Sequence, residues 1–468
     1  MDLDPLILSR IQFAFVVSFH AIFPVFTIGL ASFIALLEGL SWRTQNPVWE
    51  RLSRFWIQVF AVVFGMGVVS GIVMAFQFGT NWSNFAYAGA NFLGPVLSYE
   101  VITAFFLEAA FLGVLLFGRG KVPQGIHFFS AVMVATGTFI SSFWILSANS
   151  WMQTPAGFEI RDGLVYVTSW SEAIFNASLA PRFFHMGLAS FLTGAFVVAG
   201  VSAWYLLRNK DADVHKRALS MSLWLILFAA PAQVIVGDIH GLNTFEHQPT
   251  KVAAMEGVWE TQRGAPLLLF AWPDQDAQTN HFEVGIPRLA SYILTHDWDG
   301  EVQGLNEVPR DEQPPVAIVF WAFRVMVGIG LLMLVFAIAG LALRRREAYT
   351  RTRWFLQGLR LMAVTPFIAV LAGWFVTEVG RAPWLIYEVM THAEGLTPSL
   401  TGGMALFTLV GYVAVYSVVF AAGLYYLMRV LRVGLAPEHE MTTASPSQRA
   451  KRPFSAASAS WEEEEQQS

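Results

Sequence analysis

Four side chains of types that bind iron lie within or at the edge of long apolar runs. They are His20 in "VVSFHAIFP", His185 in "APRFFHMGLA", Met326 in "FWAFRVMVGIG" and Glu378 in "WFVTEVGRAPW". Neutral imidazole and thioether are the usual axial ligands of low-spin haem, whereas one imidazole or one weak carboxylate leaves a position open for oxygen. The set therefore favours a protein with several b-type haems. The alternatives are hydrogen-bonded packing for each histidine, core filling for Met326 and a helix cap for Glu378.

The chain contains no cysteine, and it carries an arginine near two of these candidate ligands. Without cysteine, disulfides, iron–sulfur clusters, thiolate-ligated haem and cysteine zinc sites are excluded. Arg324 lies two residues before Met326, and Arg381 lies three residues after Glu378. Haem propionates are anions that need basic partners near the membrane surface, so we expect both arginines in the haem environment. The alternative for each is a buried ion pair with a glutamate.

Two acids share the apolar stretch "LSYEVITAFFLEAAF", namely Glu100 and Glu108. Eight residues make two helical turns plus about 80°, so the two carboxyl groups are predicted on neighbouring faces, about 12 Å apart along the axis. Acids staggered in this way inside a helical bundle favour a proton relay. Polar contacts that hold helices together are the alternative.

A further cluster lies in "DIHGLNTFEHQPTKVAAMEGVWE", next to the end of an apolar run. Lys251 and Glu256 in this stretch have the chemistry to bind and deprotonate a phenolic hydroxyl group. Solvated loop charges are the alternative.

The elements that must position these residues are membrane helices. The 468 residues are 55% hydrophobic and only 13% charged, and the apolar residues come in long runs, which is typical of an integral membrane protein. We predict an all-α fold with nine transmembrane helices near residues 11–38, 55–79, 95–117, 125–149, 183–207, 218–238, 316–343, 358–379 and 402–428.

The distribution of basic residues predicts the orientation of the chain. Most of the 29 Lys and Arg residues fall in alternate connections and in the C-terminal tail, so the positive-inside rule predicts a periplasmic N-terminus and a cytoplasmic C-terminus. The start has no basic region before its apolar run, so we expect a retained first span rather than a signal peptide. The predicted parts are helices 1–6 over 1–238, a partly ordered periplasmic loop over 239–315, helices 7–9 over 316–430, and a disordered cytoplasmic tail over 431–468.

This orientation predicts similar membrane depths for the four candidate ligands. His20 lies about nine residues into a span that enters from outside, His185 about one turn into another, and Met326 about ten residues into a third. Glu378 lies near the outer end of its span. All four are therefore expected in the outer half of the bilayer, with Glu108 deeper than Glu100.

Seven segments together carry a resemblance to a known family. They are "RIQFAFVVSFHAIFP", "FGTNWSNF", "SYEVITAFFLEAAFLG", "NSWMQTPAGFEI", "PTKVAAMEGVWE", "FWAFRVMVGIG" and "GWFVTEVGRAPW". The chain resembles subunit I of the cytochrome bd-type quinol oxidases, and most of all their short-loop, cyanide-insensitive branch. The matching segments extend from Arg10 to Trp384, and their combination is highly specific.

The resemblance implies a set of haem ligands. By position, His185 and Met326 match the axial ligands of a low-spin haem b. His20 matches the ligand of one high-spin haem, and Glu378 matches the ligand of the other. The high-spin pair is expected to be haem b with haem d, or two haems b.

The resemblance also implies roles for the remaining candidates. Glu100 and Glu108 match acids near the high-spin haems and on the proton path, and Arg324 matches an arginine that tunes the low-spin haem. Lys251 and Glu256 match quinol-binding positions.

The implied activity is electrogenic oxidation of quinol at the outer face and reduction of oxygen to water with cytoplasmic protons, without proton pumping. The implied partners are a homologous subunit II, a small single-span accessory subunit, quinol, oxygen and membrane lipid, in a bacterial inner membrane. No nucleic acid is expected.

Two features bear on this resemblance. The family often has glutamine where this chain has Ala382, which removes a hydrogen-bonding side chain next to Arg381. The outer loop is short, so haem d is not assumed. A membrane transporter that uses the buried acids as an ion or substrate site is the alternative from another class.

Overall fold

The computed structural model describes residues 3–435 and is dominated by α-helices. In chain order, the helices are α1 (Pro5–Thr44), α2 (Pro47–Ala75), α3 (Gln77–Thr80), α4 (Ser83–Ala88), α5 (Ala90–Glu100), α6 (Phe106–Phe117), α7 (Gln124–Gln153), α8 (Trp170–Ile174), α9 (Leu179–Leu206), α10 (Ala212–His247), α11 (Pro249–Glu256), α12 (Leu289–Thr295), α13 (Val316–Arg345), α14 (Arg353–Met362), α15 (Thr365–Val379), α16 (His392–Gly395) and α17 (Gly402–Val433). Within the described range, nine helical stretches are long and apolar enough to cross a membrane, which confirms the predicted number.

Seven of the nine spans contain one long helix each, and two are interrupted. The third span consists of α5 and α6 joined by a π-helical turn at Val101–Phe105. The eighth span consists of α14 and α15. Two short 3₁₀ turns, Leu305–Glu307 and Arg310–Glu312, precede α13. Interruptions of this kind change which side chains share a helix face, and the π turn does so directly between two candidate acids.

Several boundaries differ from the predicted ones. Helix α1 already begins at Pro5, because Pro at the first turn needs no amide partner and the Asp4 side chain accepts a hydrogen bond from the Leu6 amide at 2.8 Å. Helix α10 continues to His247, so the first residues of the predicted outer loop are helical. Helix α17 extends to Val433, and the rest of the predicted tail beyond residue 435 lies outside the described residues.

The spans pack as two groups of four. Helices α1, α2, α6 and α7 contact one another in a ring, and we call them the first bundle; α9, α10, α13 and α15 form the second bundle. Helix α17 packs on α1 and α2. The first bundle has a core of large side chains that includes the fully buried Trp56 and Phe60, and the second has one that includes Phe196 and Phe355.

The two bundles meet most closely where α1 crosses α9. A Cβ atom added to Gly29 would lie 2.3 Å from the Ser190 carbonyl oxygen, and one added to Gly194 would lie 3.0 Å from the Gly29 carbonyl carbon. Membrane helices gain from such close approach because lipid provides little hydrophobic drive for association. Small residues at this crossing therefore hold the two bundles at a short separation.

The connections contain eight short strands in four antiparallel pairs. The strands are β1 (Phe158–Arg161), β2 (Leu164–Val167), β3 (Gln262–Arg263), β4 (Leu267–Asp274), β5 (Thr279–Ile286), β6 (Glu301–Val302), β7 (Trp384–Ile386) and β8 (Met390–Thr391). The pairs are β1–β2, β3–β6, β4–β5 and β7–β8.

The segment 239–315 is more ordered than the predicted loop. It contains the end of α10, helices α11 and α12, and the β4–β5 hairpin. Val258, Ala265, Ala290 and Val302 form a small buried cluster of their own, each at most 3% exposed. The sequence did not predict this cluster, because its residues lie up to 44 positions apart and come together only when the segment folds.

Candidate functional site

Glu378, at the end of α15, accepts hydrogen bonds from two amide side chains of α7. Its Oε1 accepts from Asn149 Nδ2 at 2.9 Å and from Gln153 Nε2 at 3.3 Å. Its Oε2 accepts from Arg381 Nη2 at 2.6 Å, so the arginine predicted to assist Glu378 is its ion-pair partner. Arg381 is 2% exposed at its side chain, whereas that of Glu378 keeps 25% of its surface. The Glu378 carboxylate is therefore hydrogen-bonded by these three side chains, while part of its surface stays accessible.

Arg182, to which the sequence assigned no role, also joins this cluster. It lies in the first turn of α9, and its Nη2 donates to Asn149 Oδ1. Asn149 thus bridges Arg182 to Glu378. One signal was present in the sequence: Arg182 precedes His185 by three residues, a spacing that places both side chains on the same helix face.

Lys251 reaches the same cluster from α11. Its Nζ donates to Gln153 Oε1 at 2.6 Å, and the residue is only 4% exposed. Burial is the main cause that lowers the pKa of Lys251 well below its ordinary value, and the charges of Arg182 and Arg381 lower it further. This lysine therefore loses its proton more readily than a solvated lysine does.

Glu256 lies on the same short helix but contacts different groups. Arg324 Nη2 donates to Glu256 Oε2 at 3.2 Å, and other Arg324 nitrogens donate to the carbonyl oxygens of Met255 and Leu268. Burial raises the pKa of Glu256, and Arg324 opposes that rise. Five residues along an α-helix turn about 140° around its axis, which separates Glu256 from Lys251.

Arg324, near Met326, and Arg381, near Glu378, differ in how many of their nitrogens have hydrogen-bond partners. Arg324 has partners for its three nitrogens and links α13 to α11 and to β4, so the ion-pair alternative describes its contacts. Arg381 also forms an ion pair, but its Nε and Nη1 are buried without a hydrogen-bond partner among the described residues.

A cavity of about 210 Å³ lies beside Lys251. Arg381, Ala382, Trp384 and Tyr387 also line it, while Glu256 does not. Ala382 is thus a wall residue of the cavity, and its side chain is small.

His185 and Met326 lie in the second bundle. A Cβ atom added to Gly237 of α10 would be 3.3 Å from His185 Cε1, and one added to Gly373 of α15 would be 3.0 Å from Met326 Sδ. His185 Nε2 lies 3.2 Å from Gln233 Nε2, whereas His185 Nδ1 has no hydrogen-bond partner in the described part of the chain. Glycines thus make room for both candidate ligands.

His20 lies in the first bundle, where α1 faces α2. Its Nδ1 is 3.0 Å from Ser70 Oγ, and a Cβ atom added to Gly71 would be 3.0 Å from its Cε1. The imidazole is therefore oriented by a hydroxyl group and packed against a glycine, as the two second-bundle candidates are.

Glu100 and Glu108 face the same helix, because the π turn lies between them. A π turn adds one residue to the helix, so eight positions behave as seven and the offset falls from about 80° to about 20°. Ser141 Oγ donates to Glu100 Oε1 at 2.7 Å, and Glu108 packs against Gly137. Both contacts are on α7, one helical turn apart. The expectation of neighbouring faces is thus corrected to a shared face.

These donor sets fit haem better than a bare metal ion. Among residues 3–435, no group of three or more His, Asp or Glu side chains is close enough to hold an ion. A porphyrin supplies most of its iron's ligands itself, so one or two protein ligands are sufficient. The unpartnered nitrogens of Arg182 and Arg381 are buried donors of the kind that carboxylate groups such as propionates require.

The nine candidate spans of the described residues and these donor sets fit a membrane protein that holds several haems. A sequence profile of the family described as "Cytochrome bd terminal oxidase subunit I" matches residues 8–435. The chain is 35% identical over 448 residues to cytochrome bd ubiquinol oxidase subunit 1 of Bacillus subtilis, covering 94% of this chain and 95% of that one. It is 32% identical to cytochrome bd-II ubiquinol oxidase subunit 1 of Escherichia coli, with 92% and 97% coverage.

A solved structure agrees with these sequence similarities. The bd oxidase of Geobacillus thermodenitrificans matches with a TM-score of 0.86 at 31% identity, covering 92% of this chain and 99% of that one. The chain belongs to the cytochrome bd terminal oxidase subunit I family. It is therefore a haem-dependent, multi-pass subunit of a terminal respiratory oxidase in a bacterial inner membrane. The transporter alternative receives no support.

Proposed function

We propose that this chain oxidises quinol near Lys251 and directs the electrons to oxygen through three haems held by the candidate ligands. His185 and Met326 would hold a low-spin haem b, His20 one high-spin haem and Glu378 the other. Haems bound there would carry electrons and supply the iron at which oxygen is reduced. The observation that carries the proposal is the cluster at Glu378, where Arg381 and Arg182 have buried nitrogens without a partner among the described residues, in a member of a terminal-oxidase family.

The cavity beside Lys251 supports quinol binding there. A protonated Lys251 donates a charge-assisted hydrogen bond to a quinol oxygen, and Trp384 and Tyr387 provide aromatic walls for the ring. Glu256 does not line this cavity, so we propose it as a proton acceptor reached by a relay from the quinol rather than by direct contact; burial raises the pKa of its carboxyl group, and a carboxylate with a raised pKa is a better base. Its hydrogen bond to Arg324 orients it. Relatives are named for ubiquinol and for menaquinol, and oxygen uptake with each quinol in turn distinguishes the two substrates.

The pair Glu108 and Glu100 supports a proton route along α7. The shared face created by the π turn places both carboxyl groups against one helix, in the order that protons from the cytoplasm would meet them. This order depends on the proposed topology, with a periplasmic N-terminus, a periplasmic segment 239–315 and a cytoplasmic C-terminus. Proton release outside and uptake from inside then make the reaction electrogenic without a proton pump.

The exposed apolar surface supports partner chains and lipid around the nine spans. Phe407 and Val418 of α17 are 80% and 71% exposed, and Phe228 of α10 is 69% exposed. Such residues suit lipid or neighbouring helices. We include a homologous subunit II and a small single-span accessory subunit among the partners, and we assign the chain to the short-loop branch because its outer segment is 239–315 only.

A pyridine haemochrome assay on the purified oxidase tests the proposal, combined with quinol-dependent oxygen uptake. We expect three haems per complex, with the ratio of haem b to haem d read from the same spectrum. His185→Ala and Met326→Leu should each abolish the low-spin haem signal, whereas His281→Ala, on the exposed hairpin, should not. A complex without haem, or an unchanged low-spin signal in both variants, would refute the ligand assignment.

A further inference from the structure

One uncharged side chain lies between the lysine of the quinol cavity and the carboxylate of Glu378. Gln153 is the last residue of α7 and is 1% exposed. Its Oε1 accepts from Lys251 Nζ at 2.6 Å, and its Nε2 donates to Glu378 Oε1 at 3.3 Å. Its backbone oxygen also accepts from Gln248 Nε2 at 2.6 Å, which ties α7 to the start of α11 a second time.

The chemistry of these partners determines which side chain can occupy this position. An ammonium group only donates hydrogen bonds and a carboxylate only accepts them, so the bridging group needs one acceptor end and one donor end. An amide has both, and the two charged partners orient it. Glutamate at position 153 would still accept from Lys251 but would place a second negative charge next to Glu378. Methionine has a similar length and makes neither hydrogen bond.

The bridge also replaces a direct ion pair. Within the described residues, no salt bridge joins Lys251 to Glu378, although each is affected by the other's charge. A displacement of the Lys251 ammonium group must therefore change the hydrogen bond that Gln153 makes to Glu378. Buried hydrogen-bonded chains of this kind transmit polarisation because the local dielectric constant is low.

We propose that Gln153 is a positioning residue that holds Lys251 for quinol and couples the quinol site to the Glu378 site. The inference rests on the proposed function, in which Lys251 contacts quinol and Glu378 holds a high-spin haem. It adds a residue to which no role was assigned, and it predicts that quinol affinity and the reduction potential of that haem change together.

The test uses the purified complex with Gln153→Met, Gln153→Glu, Lys251→Met and the double variant Gln153→Met with Lys251→Met. Quinol KM and kcat are measured with a short-chain quinol, and the high-spin haem potentials are measured by spectroelectrochemical titration. Gln313→Met is the matched control. Gln313 is a buried glutamine whose side chain bonds to Leu305, Val308 and Gln278 but to neither Lys251 nor Glu378; because Val308 lines the cavity, this variant also controls for a disturbance of the cavity wall.

Gln153→Met is expected to raise quinol KM about tenfold, as loss of a hydrogen bond to a buried charge does, with a smaller effect on kcat. The same substitution should have no further effect on KM in the Lys251→Met background, because its influence passes through Lys251. Gln153→Glu should keep KM within about twofold of wild type and lower the potential of the haem at Glu378, since added negative charge stabilises ferric iron. Gln313→Met should change neither quantity.

The outcomes separate this inference from the proposed function. If Lys251→Met leaves KM unchanged, the proposed quinol site is wrong and the inference falls with it. If Lys251→Met raises KM but Gln153→Met does not, only the inference is wrong. If the Gln153→Met protein is isolated without its haems, the Gln153→Glu variant tests the coupling instead. An unchanged potential of the haem at Glu378 in that variant overturns the coupling, and a lowered potential with a normal quinol KM supports it.

Discussion

Two buried ionic clusters lie at opposite ends of α7, and they differ in how completely their charges are satisfied. At the start of α7, Glu38 of α1 accepts from Arg119, from Ser53 and from His127 Nδ1 at 2.9 Å, while His127 Nε2 lies 3.0 Å from the Leu115 carbonyl oxygen. The carboxylate and both ring nitrogens have partners. The network connects all four helices of the first bundle, because Ser53 is on α2 and Leu115 is on α6.

At the other end of α7, one acid lies among three basic side chains. Glu378 is linked to Arg381 directly, to Arg182 through Asn149 and to Lys251 through Gln153. Arg182 Nε and both Nε and Nη1 of Arg381 are buried without partners in the described part of the chain. Because unpaired buried donors are costly, a protein keeps them where they serve a bound group.

Burial and charge alone therefore do not identify a ligand-binding site. Both clusters pair a glutamate with basic partners, but within the described range only the second has buried donors without a partner. A satisfied network stabilises one arrangement of helices, and an unsatisfied cationic one is suited to bind an anion such as a haem propionate. The following predictions test this difference, in order of their expected effect on turnover.

Glu378→Gln is expected to remove one high-spin haem and to reduce oxygen uptake to background. The amide is a far weaker iron ligand than a carboxylate, and Arg381 would lose the ion-pair partner that it has among residues 3–435. Haem content per protein by the pyridine haemochrome assay checks this expectation. A full haem complement with normal turnover would show that the unsatisfied cluster is not a haem site.

Glu108→Gln is expected to slow oxygen reduction about a hundredfold while leaving quinol binding intact, because a glutamine cannot carry the proton onward. Glu108 lies along α7 between the two clusters, against Gly137. Stopped-flow oxygen reduction and quinol KM together measure the two parts of the expectation. Glu172→Gln, at an exposed position, is the control, and normal turnover in Glu108→Gln would remove this acid from the proton route.

Quinol KM is expected to rise with pH, by about tenfold, as Lys251 loses its proton. Burial, followed by the charges of Arg182 and Arg381, lowers the pKa of Lys251, so the rise should occur at a lower pH than an ordinary lysine would give. Lys251→Arg stays charged over the whole range and should make KM independent of pH. Steady-state assays across a pH series check both, and a flat profile in the wild-type enzyme would contradict this role for Lys251.

Glu38→Gln is expected to change turnover by no more than about twofold, yet to lower the free energy of unfolding by about 3–5 kcal/mol, because Arg119 and His127 would lose their charged partner. Thermal unfolding of the purified complex and its haem content measure the two effects. If a folded Glu38→Gln protein lost haem at a temperature well below its unfolding transition, the Glu38 cluster would also support haem binding. The proposed difference between the two clusters would then be wrong.

The sequence predicted the spans more successfully than the contacts between them. Long apolar runs are local features, so the nine spans could be counted directly, although Asp4 and the continuation of α10 moved two boundaries. The roles of Asn149 and Gln153 were missed because Asn149 contacts a residue 229 positions away and Gln153 contacts one 98 positions away. The partners of polar residues on α7 can be identified only when the packing of α11 and α15 against that helix is known.

Two further differences have local causes that the sequence did contain. Five-residue spacing on a helix already separates Lys251 from Glu256, and three-residue spacing already joins Arg182 to the face of His185. The π turn between Glu100 and Glu108 is different, because no residue pattern in that stretch distinguishes a π turn from ordinary α-helix. Only the backbone structure therefore showed that Glu100 and Glu108, the acids of the proposed proton route, share a helix face.

By itself, the order of amino acids determined that residues 3–435 contain nine candidate membrane spans and that side chains of types able to bind iron lie within or beside apolar runs. Those properties follow from the lengths of apolar runs and from the residue types within them. Only the tertiary structure decided that Arg324 is used in an ion pair while Arg182 and Arg381 keep free donors, and that Gln153 joins Lys251 to Glu378. The physical reason is that hydrogen-bond satisfaction depends on which helices pack together, and side chains far apart in the sequence provide the partners.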